Sequence, residues 1–184
     1  MTGTSTVTAV DASVSRGTGD LQMLVFLIKN ERFAVPLTEI QEIMTIMPLT
    51  PVPHAPNAIR GIVNVRGKVA TAVDIARVLG FDAATNPQYM IMAKSDKNLL
   101  ALLVDTVVGV LRTSAEHLRT TPDLFASKSA AAYIGGALVI PKEDTAQSEH
   151  QTDMTDATGL GDSDIILTLN LSSVFAAVAT PSAR

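Results

Sequence analysis

Few residues in this 184-residue chain have types and spacings that could do chemistry. The stretch from Gly61 to Ile75, GIVNVRGKVATAVDI, places a Gly-Lys pair downstream of a first glycine, as a phosphate-cradling loop does. Such a loop needs four residues between that glycine and the pair, then a Ser or Thr hydroxyl for magnesium. Here five residues separate Gly61 from Gly67, and Val69 follows Lys68, so the spacing and the metal ligand are both wrong. No G-x-G-x-x-G dinucleotide fingerprint occurs either. His54, His117 and His150 are the only histidines, all in loop-like sequence and none at metal-ligand spacing from a second donor. They read as solvated loop side chains. A serine nucleophile would need a turn such as G-x-S-x-G, and none is present. The acids after Pro141 fail the calcium-loop pattern, because the alternate positions after Asp153 are Thr155 and Ala157. Asp74 and Asp105 lie in strand-like contexts and read as caps or turn acceptors, with nothing to make them an acid–base pair.

Composition narrows the choice further. The chain is 47% hydrophobic, enough for a sizeable core, and has no cysteine, which removes disulfides, thiolate sites and a cysteine nucleophile. Residues 1–20 are small and polar, lack a basic start with a long apolar core, and read as a tail rather than a secretory signal. No apolar run approaches the roughly 18 residues of a membrane span, so a soluble, cytoplasmic protein is expected. Seven acids and one base lie between Pro141 and Asp164; that segment carries −6, leaving +2 for the remainder of a chain of net charge −4. The rest lacks the basic field and aromatic platforms that nucleic-acid binding uses. A small-ligand or enzymatic barrel would need convergent polar groups, and no pair of candidates is present.

The elements that position these residues follow from periodicity and turn chemistry. Leu21 to Ile28 and FAVPL flank KNER, which reads as a hairpin. Leu37, Ile40, Ile43 and Met44 have helical spacing, so a helical turn or two leading into a strand is expected. Pro48, Pro51, Pro53 and Pro56 make the next stretch an extended connection, with PNAIRG forming one helical turn that Gly61 stops. Val63, Val65, Val69, Val73 and Ile75 share one parity and are expected to face a core, with Arg66-Gly67 at a reversal. DIARVLG reads as a short helix capped by Asp74 and ended by Gly80. YMIMAK and LLALLVDTVVGVL read as strands around SDKN, with a bulge at Gly109. TSAEHLRTTPDLF reads as irregular. ALVI and IILTLN form the last pair around the acidic segment, and LSSVFAAV an amphipathic helix. Many short strands with a few short helices predict an all-β barrel or sandwich.

The order IQEIM, proline-containing link, IRGIVNVRGKVATAVDIARVLG, LALLVDTVVGVL resembles the CheW family of chemotaxis coupling proteins over Leu21 to Ala179. The resemblance implies an all-β fold of two packed five-stranded SH3-like β-barrels, intertwined within 21–179. Residues 141–164 would be a flexible acidic hairpin extension and 180–184 a C-terminal tail. It implies no catalysis and no cofactor. Its members act as adaptors between the cytoplasmic tip of a methyl-accepting chemoreceptor and the regulatory domain of the histidine kinase CheA, at membrane-associated arrays and without inserting into the membrane. An equivalent module of a pilus-motility or other non-flagellar system shares the pattern. Carried over by position, Glu42 and Arg66 match the family's characteristic acid and arginine and are expected to pair. Ile40 and Ile43 match apolar positions beside a receptor-binding groove, and Asn64 and Gly67 match the turn. Asp105, Val107 and Gly109 match the block that forms the other part of that groove. The long acidic insertion departs from the family's short last hairpin.

Overall fold

The computed structural model describes residues 20–81, 86–95, 98–119, 128–141 and 163–179. The expected tails and almost all of the acidic segment, including His150, lie outside them, and the first strand opens at Asp20.

Among the described residues, eleven strands form two sheets. β1 (Asp20–Ile28) and β2 (Glu31–Pro36) join β8 (Thr106–Ser114), β9 (Leu118–Arg119), β10 (Ile134–Pro141) and β11 (Ser163–Leu169) in the order β8-β1-β2-β11-β10-β9. The second sheet, β3-β6-β7-β5-β4, uses the contiguous middle of the chain: β3 (Ile40–Thr45), β4 (Ile59–Val65), β5 (Lys68–Asp74), β6 (Tyr89–Ser95) and β7 (Asn98–Val104). Helices are short: α1 (Ile75–Val78), α2 (Lys128–Ala131) and α3 (Leu171–Ala179). The expected mostly-β architecture with a few short helices is what the chain adopts, the first sheet being extended to six strands by two-residue β9.

Two hairpins close through two-residue turns in which both residues have positive φ, Lys29 (48°) with Asn30 (70°) and Arg66 (50°) with Gly67 (83°). That geometry matches the right-handed twist of the flanking strands. The capping chemistry read from DIARVLG holds. The Asp74 side chain accepts from the Arg77 amide at the start of α1, and Gly80 takes φ 80° past its end.

Both faces of the central strands are buried, which explains their unbroken apolar runs. Within the first sheet, Met23 and Val25 of β1 pack with Ala34, Leu138, Ile140 and Ile166. Within the second, Val63, Val65, Ala70, Ala72, Met90, Met92, Ala101 and Leu103 fill the interior, with no aromatic side chain among them. The opposite faces meet in one seam. Leu24, Phe26, Ile28, Phe33 and Val35 of the first sheet pack there with Val73, Ile91, Leu100, Leu102 and Val104 of the second, and with Ile75, Val174 and Phe175 of the helices. Each fully buried side chain of this size contributes about 1.5–3 kcal/mol of transfer free energy, so the seam joins the two sheets as one unit.

Four expectations need correction. Val69 is 61% exposed rather than core, because the Arg66-Gly67 turn pairs Val65 with Lys68 and Asn64 with Val69. A two-residue reversal flips the parity, so Ala70 and Ala72 take the interior positions. PNAIRG does not form a helical turn ended by Gly61; β4 starts at Ile59 and runs through that glycine, with a register shift beside it. TSAEHLR is not irregular, since Ala115–His117 is a 3₁₀ turn that leads into β9. In that corner His117 Nδ1 lies 2.9 Å from the Thr113 hydroxyl, so this histidine is half-buried and engaged rather than merely solvated.

Candidate functional site

The β4–β5 turn presents Arg66 to solvent. Asn64 Oδ1 accepts the Gly67 amide at 2.9 Å and holds the turn, while Arg66 sits in the left-handed region at φ 50°. A non-glycine residue pays about 1 kcal/mol or more there. Its Nη1 lies 3.4 Å from Glu42 Oε2, with the two side chains 71% and 27% exposed. Glu42 belongs to β3, and β3 and β4 are the two edges of the second sheet. The pair therefore meets because the sheet curls until its edges face each other. Thr50, in the link between these strands, fastens that curl: its amide donates to Ile62 O at 2.9 Å, and the Ile62 amide donates to Thr50 O at 2.8 Å. Gly61 makes room for this, since a Cβ there would lie 2.4 Å from Thr50 O.

Below the link, Asp74 is 1% exposed and lies 3.6 Å from Arg60 and 3.4 Å from Arg77. Arg77 also donates to Asn57 O at 2.9 Å, and the Asp74 amide to Ala58 O at 2.8 Å. One buried carboxylate thus ties α1 and the start of β4 to the end of the proline link.

The remaining expected site residues gather along the seam. On β3, Ile40 pairs with Ala93 and Glu42 with Met92, leaving Gln41 as an extra residue. Side chains opposite one another share a face. The bulge therefore returns Ile43, opposite Ile91, to the same face as Ile40. Both isoleucines pack half-buried against the seam core, whereas Glu42 and Met44 face the interior of the second sheet. On β8 a second bulge does the same. Val107 pairs with Phe26 and Gly109 with Val25, so Val108 is extra, and Val110 opposite Leu24 rejoins the face of Val107. The expected bulge at Gly109 is present, with φ 150°. Like β3, β8 is the outer strand of its sheet.

The structure thus divides the nine expected residues. Glu42, Asn64, Arg66 and Gly67 meet at one corner, and Ile40, Ile43 and Val107 border the seam. Gly109 shapes the bulge. Asp105 Oδ2 accepts the Lys29 amide at 2.7 Å, a turn acceptor as its sequence context indicated. Sequence reasoning missed Val110, 38% exposed, although it repeats the three-residue spacing of Ile40 and Ile43. It also missed Glu39, on the 3₁₀ turn Leu37–Glu39 that leads into β3, where burial raises the carboxyl above its ordinary 4.5. Among the described residues no group of three or more His, Asp or Glu is placed to hold a metal ion, and no helix is long and apolar enough to cross a membrane.

This architecture has counterparts. The chain matches the model of the CheW-like domain over residues 22–179. It is 32% identical over 126 residues to a probable chemotaxis protein CheW of Rhizobium etli, covering 67% of this chain and 81% of the relative. To the chemotaxis protein CheW of Rhizobium meliloti it is 34% identical over 124 residues, 66% of this chain and 79% of that one. The crystal structure of the scaffolding protein TtCheW from Thermoanaerobacter tengcongensis superposes with a TM-score of 0.63 at 19% identity, over 82% of this chain and 88% of that chain, a likeness of fold. A match from the first strand to the last helix, carried by two interlocked sheets, leaves one assignment: the chain belongs to the CheW-like domain family.

Proposed function

We propose that this protein is a non-catalytic adaptor of a bacterial chemosensory array, coupling the cytoplasmic tip of a chemoreceptor to the regulatory domain of a CheA-type histidine kinase. The observation that carries this reading is Arg66. An arginine occupies a turn position suited to glycine or asparagine, stands 71% exposed, and is aligned by Glu42 from the opposite sheet edge. The turn geometry alone does not call for an arginine there, and an exposed cation aligned by a carboxylate from another strand supports a contact point.

β3 is an edge strand with a different offering on each side. A helical hairpin lying along it would meet Ile40 and Ile43 on the seam side, with Val107 across from them, and the Glu42–Arg66 pair on the other. The apolar helix face supplies burial and Arg66 a charge-assisted contact. Each such interface is modest, and repetition in an array supplies avidity. The receptor's signal then acts by favouring one packing of the assembly, which shifts the kinase between its active and inactive populations.

The test is binding of the purified chain to a chemoreceptor cytoplasmic fragment and to a CheA regulatory domain, separately and together. Capture of both, with Arg66→Ala folded but deficient in receptor control of the kinase, supports the reading. Binding to neither, or full kinase control by Arg66→Ala, refutes it.

A further inference from the structure

The backbone passes between the two sheets twice, from β2 to β3 through the 3₁₀ turn Leu37–Glu39 and from β7 to β8 through Asp105 alone. Each crossing runs directly into one border of the seam, β3 with Ile40 and Ile43, β8 with Val107 and Val110. The second crossing is held on both sides. Val104 O, at the end of β7, accepts the Gln88 amide at 3.0 Å. One residue later the Asp105 amide donates to Leu27 O at 3.1 Å, and Asp105 Oδ2 accepts the Lys29 amide at 2.7 Å. Lys29 is the first residue of the positive-φ turn between β1 and β2, just past the Ile28–Glu31 pair that ends the register. A carboxylate reaching an amide 76 positions away in sequence thus docks the crossing onto the β1–β2 hairpin. The side chain that resemblance places among the binding residues is turned to its own chain.

We propose that Asp105 is a positioning residue: its carboxylate fixes the direction in which β8 leaves the second sheet, and so the spacing between the Val107–Val110 border and the Ile40–Ile43 border that a receptor helix must fit. This rests on the adaptor reading above. Without the carboxylate, the single-residue crossing keeps its backbone bond to Leu27 and the β1–β8 ladder that begins at Thr106, but loses its tie to the β1–β2 turn, and the gap between the two borders is held less firmly.

The experiment compares wild type, Asp105→Ala and Asp105→Asn, all well below their unfolding temperatures. Its readouts are amide exchange at Lys29, affinity for a chemoreceptor cytoplasmic fragment, and the salt dependence of that affinity. Asp105→Ala is expected to speed Lys29 exchange and weaken receptor binding about tenfold, the scale of one charge-assisted hydrogen bond. Its salt dependence should match that of Asp105→Asn, which removes the same charge but keeps the acceptor. Asp105→Asn retains a carbonyl that can accept the same amide and is expected to recover most of both. The proposal is overturned if Asp105→Ala frees Lys29 yet binds at wild-type strength. It is also overturned if Asp105→Asn keeps Lys29 protected but binds as poorly as the alanine variant with a flattened salt dependence, which would make the carboxylate a direct contact. A wild-type chain that binds no receptor fragment defeats the adaptor reading itself and the positioning role with it.

Discussion

Replacing Arg66 with asparagine separates what this residue does for the fold from what it does for a partner. Arg66 holds φ 50° in a turn whose neighbour Gly67 has φ 83°. The left-handed conformation costs an ordinary side chain about 1 kcal/mol or more, and asparagine tolerates it far better. Against that relief stands the ion pair with Glu42. At 3.4 Å and with the arginine 71% exposed, such a pair contributes roughly 0–1 kcal/mol. The two effects nearly cancel, so Arg66→Asn is expected to be as stable as wild type or more stable by about 0.5 kcal/mol, a rise of one or two degrees for a domain of this size. Function should move the other way. Losing a charge-assisted contact costs about 1.5–3 kcal/mol at an interface, tenfold or more in affinity. Urea unfolding gives the first quantity, and receptor-controlled kinase activity in a reconstituted assembly gives the second. A variant less stable than wild type by more than about 1 kcal/mol would show that Arg66 is a structural brace. Intact kinase control would show that the strained arginine serves no partner.

Further outcomes follow from the supports beneath that corner. Gly61→Ala places a Cβ 2.4 Å from Thr50 O at φ 149°, so it should destabilise the chain by about 2–4 kcal/mol in urea unfolding through overpacking and backbone strain. Asp74→Ala removes a 1%-exposed carboxylate that caps α1 and faces Arg60 and Arg77. Its expected cost is about 2–4 kcal/mol, held down because both arginines are partly solvated; an unchanged urea midpoint would remove its role as anchor of the link. Glu39 is raised above its ordinary 4.5 by burial, so its protonated form suits the folded state better. Its stabilising contribution is complete below that pH and is lost as pH rises through the raised value. Glu39→Gln should therefore unfold at a higher temperature than wild type at neutral pH, with the advantage gone below about pH 4. A uniform gain at both pH values would contradict this.

Local chemistry made much of this fold legible in the sequence. Turn residues located the β1–β2 and β4–β5 hairpins, Asp74 and Gly80 bounded α1, and Gly109 marked a bulge. Features set by distant chain were harder to read. Leu37, Ile40 and Ile43 imitate a helix because a 3₁₀ turn and then a bulge at Gln41 return the chain to one face every three residues. Val69 was misplaced because alternation was carried straight through a reversal that resets it. Gly61 looked like a stop signal, whereas its partner is Thr50, brought alongside only when the sheet curls. The pairing of Glu42 with Arg66 came from family resemblance; no spacing rule joins residues on opposite sheet edges. The same holds for Asp105, whose acceptor role was readable but whose donor at Lys29 was not.

The order in which the strands are made also matters. The second sheet can assemble from one uninterrupted stretch as it leaves the ribosome, but β1 must wait for β8, and β2 for β11 near the far end of the chain. Until then the face of β1 that carries Met23 and Val25 lacks Leu138, Ile140 and Ile166 and is a bare apolar ribbon, and the nascent polypeptide is at its most vulnerable to sticking or to a chaperone. Among the described strands, β11 is made last and lies between β2 and β10, so its Ile166 completes the packing that Met23 and Val25 of β1 began.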